Sequence, residues 1–319
     1  MRKLLLVGKL ILVVMVLSTM VASNGFAGYP SRTVKLIVPS KAGGSTDTTA
    51  RLFAQTAKKY WKGIDFIIVD KPGSGGLMGF EAEARSRADG YTLGLMFTPQ
   101  IVAHIVAKRA HYTLDSFKIV GNIAEDPEIV VVPAQSKVKN LDDLVKLAKS
   151  KKITAAVNGI GSDDFLAAKN FEALTGVKFN LMPTKGSTEE KAAILGNHIE
   201  VAFMNLSQML AQHKAGKARI IAIMSDKRSD VAKDIKTAEE QGYKVYMTAT
   251  RGMLVSAKVK KPIFDKIEAL FKKVVNDKDF QAKCKNAYIF LKPMYSKDYR
   301  AYLEQLQKDT QKVYNSSPW

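Results

Sequence analysis

Four short stretches combine small, flexible and hydroxylated residues where an apolar run gives way to a helical pattern. They are Pro39–Asp47 (PSKAGGSTD), Asp70–Gly76 (DKPGSGG), Asn158–Ser162 (NGIGS) and Thr184–Ser187 (TKGS). Glycine lets the main chain approach a ligand closely, and the first N–H groups of the helix that follows lack intrahelical partners. The positive end of the helix dipole lies at the same place, so each junction suits an anion. One such loop alone reads as an ordinary strand-to-helix turn with a capping serine. Two in each half of the chain argue for a shared anion cleft.

Motifs for catalysis and for metal binding fail. Gly73 and Gly75 begin a dinucleotide-like glycine run, but Met78 stands where the third glycine belongs, and no acidic residue follows a partner strand. No phosphate-binding GxxxxGK[ST] loop occurs, and no serine is flanked by glycines two residues away on both sides. His104, His111, His198 and His213 lack metal-ligand spacing and sit in polar contexts, where surface or helix-capping roles are expected. Cys284, the single cysteine, falls in an apolar-periodic helix over residues 279–287 and reads as a buried, inert thiol. No metal and no cofactor are expected.

The elements that must position the four loops alternate. Strands are predicted at 34–38, 66–69, 92–97, 129–132, 153–157, 179–182, 201–204, 220–224 and 253–255. Helices are predicted at 47–61, 141–150, 163–174, 188–195 and 263–275. Asn140 with Asp142 and Asp143 marks a helix start, Ser187 with Glu190 reads as a capping box, and Gly176, Gly196 and Gly216 mark helix ends. Such alternation predicts an α/β fold with mainly parallel sheets covered on both faces. The segment GNIAEDPE (121–128) breaks the pattern and divides the chain, with a return near Met247–Arg251. The predicted organisation is residues 1–27 as a leader, 28–124 with 250–319 as the first lobe, and 125–249 as the second. The helices from Ile263 onward are expected to rejoin the first lobe.

The leader follows from Arg2, Lys3 and Lys9, the apolar run Leu10–Leu17, and the small residues of Gly25-Phe26-Ala27. The run is shorter than the ~20 residues a stable span needs, so export with cleavage after Ala27 is predicted. Of the net charge of +19 the leader supplies three positives, leaving about 290 residues at +16. The lysines are scattered over helix faces without interleaved aromatics, which argues for a solvated basic surface and against nucleic acid as partner.

Read in order, these segments resemble the solute receptors of tripartite tricarboxylate transporters, the Bug family. The carriers are Tyr29-Pro30-Ser31, VKLIVPSKAGGSTDTTAR (34–51), VDKPGSGGLMG (69–79), ADGYTLGL (88–95), ALTGV (173–177) and QHKAGKARIIAIMSDKRS (212–229). The resemblance runs from Tyr29 to near the C-terminus; each motif is weak alone, and their order behind a leader makes them specific. It implies a two-lobed type II periplasmic binding protein, with a cleft between two mixed or parallel-sheet domains that closes on a ligand carboxylate, partly through ordered water, without catalysis. It also implies a small carboxylate ligand, a cognate membrane permease and action as a monomer.

The ligand-binding candidates are Ala42, Gly43, Gly44, Ser45, Thr46 and Asp47, with Gly73, Ser74, Gly75 and Gly76. Thr98 follows the third strand; the second lobe adds Gly161, Ser162, Lys185, Gly186, Ser187 and Asn205. The chain departs from relatives where Ser40-Lys41 replace an aromatic and an alanine, Asn205 an aspartate, and Arg251 an aromatic. Lys41 and Arg251 would favour a ligand with more than one carboxylate. The plain alternatives are a solvated rim charge for Lys41 and, for Arg251, a structural tie from the crossover to a carbonyl or an acidic neighbour. The function expected is a periplasmic receptor that feeds a transporter; its rivals are a sensor partner of a signalling system and a secreted hydrolase or isomerase on the same fold. Protein recovered after export should begin at Gly28 when its N-terminus is sequenced, whereas an intact Met1 terminus on membrane-bound protein would contradict the leader.

Overall fold

The computed structural model describes residues 28–319, so the leader lies outside the described residues. Strand β1 (Val34–Val38) is almost continuously apolar, with Val34, Leu36, Ile37 and Val38 buried. A parallel strand covered by helices on both faces reads this way. β2 (Phe66–Asp70) and β3 (Thr92–Phe97) flank it, both parallel. Helices α1 (Ser45–Tyr60), α2 (Leu77–Ala84) and α3 (Gln100–Val106) follow the three strands in turn. In the other half, β5 (Thr154–Val157) lies parallel between β6 (Asn180–Pro183) and β7 (Val201–Asn205). Its helices are α4 (Leu141–Ser150), α5 (Asp163–Thr175), α6 (Ser187–Leu195) and α7 (Leu206–Lys214).

Two long strands tie the halves together. β4 (Phe117–Pro133) and β9 (Thr248–Ser256) run antiparallel from the pair Phe117–Ser256 to the pair Pro127–Thr248. Beyond Pro127, β4 changes partners and pairs with β7 from Glu128–Asn205 onward, and with β8 (Ala218–Ile223). Proline has no N–H to give a ladder, so the change of partner falls where one bond is missing anyway. The segment 121–128 is therefore a continuous strand, where the sequence predicted a break; its polar residues fit because they lie between lobes. The predicted strands at 129–132 and 253–255 are the apolar ends of these two crossovers. The full order is β2-β1-β3-β9-β4-β7-β5-β6, with β8 and β10 (Leu291–Tyr295) also on β4.

Separate cores fill the two halves. Helix α8 (Lys261–Val275) puts Ile267, Leu270, Phe271 and Val274 against Phe53 of α1, and α9 (Lys278–Asn286) adds Phe280 and Cys284. Burial pushes the Cys284 thiol up to about 12, which keeps it inert. The last helix, α10 (Ser296–Ser316), differs from the expectation that the C-terminal helices rejoin one lobe. Tyr299 and Leu303 pack in the first half, while Val313 and Trp319 pack against the core of the second. Twenty-one residues of helix span about 30 Å, more than one lobe needs. The capping sites behave unequally. Asn140 accepts the Asp143 N–H as predicted, but Gly186 takes the cap position of α6, so Ser187 and Glu190 form no capping box.

Glu83 sits 1 % exposed on α2, with Oε2 lacking a hydrogen-bond donor among the described residues. Burial raises its carboxyl from 4.5 to about 8. The folded state therefore holds a proton that the unfolded chain releases above about 4.5, so this contribution is complete at low pH and is lost as pH rises to about 8. Glu83→Gln should stabilise the protein at pH 9 by on the order of 1–3 kcal/mol and leave it unchanged near pH 4, as read by urea melts at both pH values.

Candidate functional site

The parallel pairing places the loops after β1, β2 and β3 side by side at one edge of the first half. The loops after β5, β6 and β7 are grouped likewise in the second. Ligands of open α/β sheets bind outside the carboxyl ends of the strands, and both sets of candidate loops occupy such ends. Helix α3 links them. The Ala103 side chain lies against Gly161, where an added Cβ would sit 3.4 Å away, and Gln100 donates 3.1 Å to Asp163 Oδ1 across the lobes. His104, on the same helix, lies 3.2 Å from the Gly75 carbonyl. It is buried, unlike the surface or capping role predicted, because β3 and α3 turn it inward beneath the 73–76 loop. Burial lowers its pKa; the neutral ring donates from Nε2 to that carbonyl.

Three of the four junctions are partly filled by the chain itself. Asp47 Oδ2 accepts the Gly43 N–H at 2.7 Å, Asp164 Oδ2 the Asn158 N–H at 2.8 Å, and Glu189 Oε2 the Lys185 N–H at 2.8 Å. Each carboxylate stands in the first helical turn, where the dipole and free N–H groups favour it. Asp47 is also held by Arg51 at 2.9 Å, so its side chain serves the loop that it was predicted to line. Lys41 is exposed, and Ala42 and Gly43 are exposed beside it. Ser162 caps α5 by accepting the Phe165 N–H at 3.0 Å. Thr98 is buried and bonds Thr250 of β9 at 2.8 Å, which ties β3 to the crossover.

The remaining junction is different. Gly73, Ser74, Gly75 and Gly76 have φ values of 137°, 48°, 60° and 93°, four consecutive residues in the region that favours glycine. Gly73, Ser74 and Gly75 are exposed at the mouth of the first lobe. The Gly76 N–H bonds the Gly73 carbonyl at 3.0 Å and the Leu77 N–H the Ser74 carbonyl, which leaves the Ser74 and Gly75 N–H groups as those the loop could offer an anion.

Asn205 and Arg251 meet at the root of the cleft. Arg251 Nη1 lies 2.9 Å from Asp126 Oδ2, with both side chains almost fully buried, and Nη2 donates to Asn205 Oδ1 at 3.4 Å. Its charge is answered by an acidic neighbour on the other crossover strand, which is the structural alternative weighed for this residue. Asn205 in turn donates 2.6 Å to Asp163 and 3.1 Å to Glu128. Asp126, Glu128, Asp163, Gln100 and His104 were missed in the sequence. Acidic residues in a first turn look like plain helix starts, and nothing local tells that they are buried. A cavity of about 720 Å³ lies elsewhere, between Thr248 of β9, Leu291 of β10, Leu166 of α5 and Tyr302, Leu306 and Thr310 of α10, and none of the predicted site residues lines it.

Two sheet-bearing lobes on paired crossover strands, with loops converging from both, define a periplasmic-binding-protein-type solute receptor. The family described as tripartite tricarboxylate transporter family receptor matches residues 49–314, and the chain belongs to it. The chain is 29 % identical over 273 residues to protein BugT of Bordetella pertussis, covering 82 % of each. It is similar to the periplasmic binding protein BugD, at 25 % identity with a TM-score of 0.80, over 90 % of this chain and 98 % of that one. It also shares the fold of MatC from Rhodopseudomonas palustris with bound malate, at 21 % identity with a TM-score of 0.80, over 89 % and 99 % of the two chains. The family is one of solute-binding receptors and not of enzymes, as the missing catalytic motifs predicted.

Arg251→Ala should leave Asp126 buried without its cation and lower apo stability by about 3–5 kcal/mol in denaturant melts. Adding Asp126→Asn to it should recover part of that loss. An apo stability unchanged by Arg251→Ala would show that the pair is not structural.

Proposed function

We propose that the chain is a periplasmic receptor, released from its leader, that captures a small carboxylate and delivers it to a tripartite tricarboxylate-type membrane transporter. The observation that carries this reading is the run Gly73–Gly76, four consecutive positive-φ residues, three of them exposed, at the carboxyl end of β2. Family membership supports the transport role, and the malate-bound relative lends weight to a carboxylate. The remaining first-turn N–H groups of α1 and α5 would face the ligand from the two lobes. The geometry favours neither Lys41 nor Arg251 as the anchor of a second carboxylate, since one is exposed and the other is paired. Specificity then rests on loop shape more than on a dedicated cation.

A melting screen of mono-, di- and tricarboxylates should return at least one hit. A ligand at 100 times its Kd adds about 2.7 kcal/mol of stability, a shift of several degrees. No hit should be consumed on long incubation. Gly75→Ala provides the local test, because an added Cβ there meets only His104, at 3.5 Å, while its φ of 60° disfavours any side chain. Apo stability should fall by roughly 1–2 kcal/mol and affinity for the hit at least tenfold. A carboxylate screen without a single shift would sink the reading.

A further inference from the structure

Beneath the cleft, Glu128 of β4 and Asp163 and Asp164 of α5 each bring a carboxylate oxygen within 4.8 Å of the others, all three buried. Asp126, close by, is paired with Arg251, whose charge also reaches Asp163; none of the three forms an ion pair of its own among the described residues. Asn205 satisfies one oxygen of Asp163 and one of Glu128. Glu128 Oε1 and Asp164 Oδ1 are buried without a donor. Two further side chains, from outside this cluster, point the same way. Gln100, 4 % exposed, gives its amide N–H to Asp163 and leaves its carbonyl Oε1 buried and unpartnered. Glu190 of α6 is fully buried, and neither of its oxygens has a donor. Beside them the Nε of Arg251 is a buried donor without a partner, but the acceptors outnumber it five to one, and buried acceptors crowded together call for a positive species.

We propose that Glu128, Asp163 and Asp164 hold a hard divalent cation of the calcium class, with Gln100 turning its amide over so that its carbonyl takes the place of the N–H that now faces Asp163. The donors are all oxygen, with no histidine or cysteine among them, which selects against zinc and copper. Calcium accepts irregular sets of carboxylate and amide oxygens after losing its water, whereas magnesium keeps several waters that a buried site does not admit. Gln100 belongs to the first lobe and the three carboxylates to the second half of the chain. A bound cation would therefore bridge the cleft at its root and favour the closed arrangement.

The test uses the full mature chain stripped with a chelator, then titrated calorimetrically with calcium, magnesium and manganese chlorides. One calcium per chain is expected, with a melting temperature raised by about 5–8 °C at a hundredfold excess over Kd. Asp164→Asn and Glu128→Gln should each weaken calcium binding at least tenfold. Both should also melt no lower than the parent in metal-free buffer, since each removes repulsion. Should one of the two not fold, the other carries the comparison. No heat and no melting shift with any of the three cations, with a native mass spectrum free of metal, would overturn the proposal in favour of carboxyls that share protons. Calcium bound equally well by both variants would place the ion elsewhere and overturn it too.

Discussion

The antiparallel pairing of β4 with β9 is the constraint on which the remaining structure depends. It is the ladder that belongs to both halves, running from Phe117–Ser256 to Pro127–Thr248. Two glycines make its packing possible. A Cβ on Gly252 would sit 2.3 Å from the Tyr299 ring, and one on Gly121 would sit 2.5 Å from Phe271. No side chain fits at those distances, so α8 and α10 dock on the ladder only because the strands are bare there. Thr250 continues the same face with hydrogen bonds to Thr98 and Tyr299, each at 2.8 Å, and so fixes β3 and α10 to the crossover together.

Charge is distributed against the overall sign of the molecule. The chain carries a net charge of +19, yet the buried groups beside the crossover are mostly acidic: Asp126, Glu128, Asp163, Asp164 and Glu190 against Arg251. Burial raises Glu128, Asp164 and Glu190 well above the usual carboxylate range, each helped by its acidic neighbours. The lysines meanwhile remain on the surface, where pairs such as Lys261–Asp265 contribute little. Net charge therefore describes the solvated shell and says nothing of the cleft root, where the local balance is reversed.

Short strands and long amphipathic helices were legible because their patterns are local. β1 and β3 coincide with prediction, and α4 does too, since Asn140 and the 3.6-residue apolar spacing mark it from both sides. The crossovers were not, because their middles carry Glu125, Asp126 and Thr250, which local statistics assign to loops. Those residues are tolerated only by partners far along the chain: Arg251 and Ser207 for Asp126, Tyr299 for Thr250. The glycine-rich loops were legible as helix entries. Their occupation by Asp47, Asp164 and Glu189 was not, since a carboxylate in the first turn has the same sequence signature whether it caps its own loop or leaves it open.

The same contacts set how readily the lobes can part. Separation about the crossovers would leave the β4–β9 ladder intact and break what crosses the cleft. Those contacts include the Gln100–Asp163 hydrogen bond, the packing of Ala103 on Gly161, and Tyr288 and Phe290 seated against the core of the second half. A hydrogen bond to a carboxylate contributes about 1.5–3 kcal/mol. One ligand at 100 times its dissociation constant supplies about 2.7 kcal/mol, the order of that single hydrogen bond. Helix α10 limits the motion from behind, because Tyr299 and Leu303 anchor it in the first core while Trp319 meets Phe165 of the second, with ring centroids 5.6 Å apart. Opening must therefore peel the end of α10 from the second lobe or tilt the helix with it. The C-terminal turn is thus part of the closure energy, although it lies more than a hundred residues from any loop of the cleft.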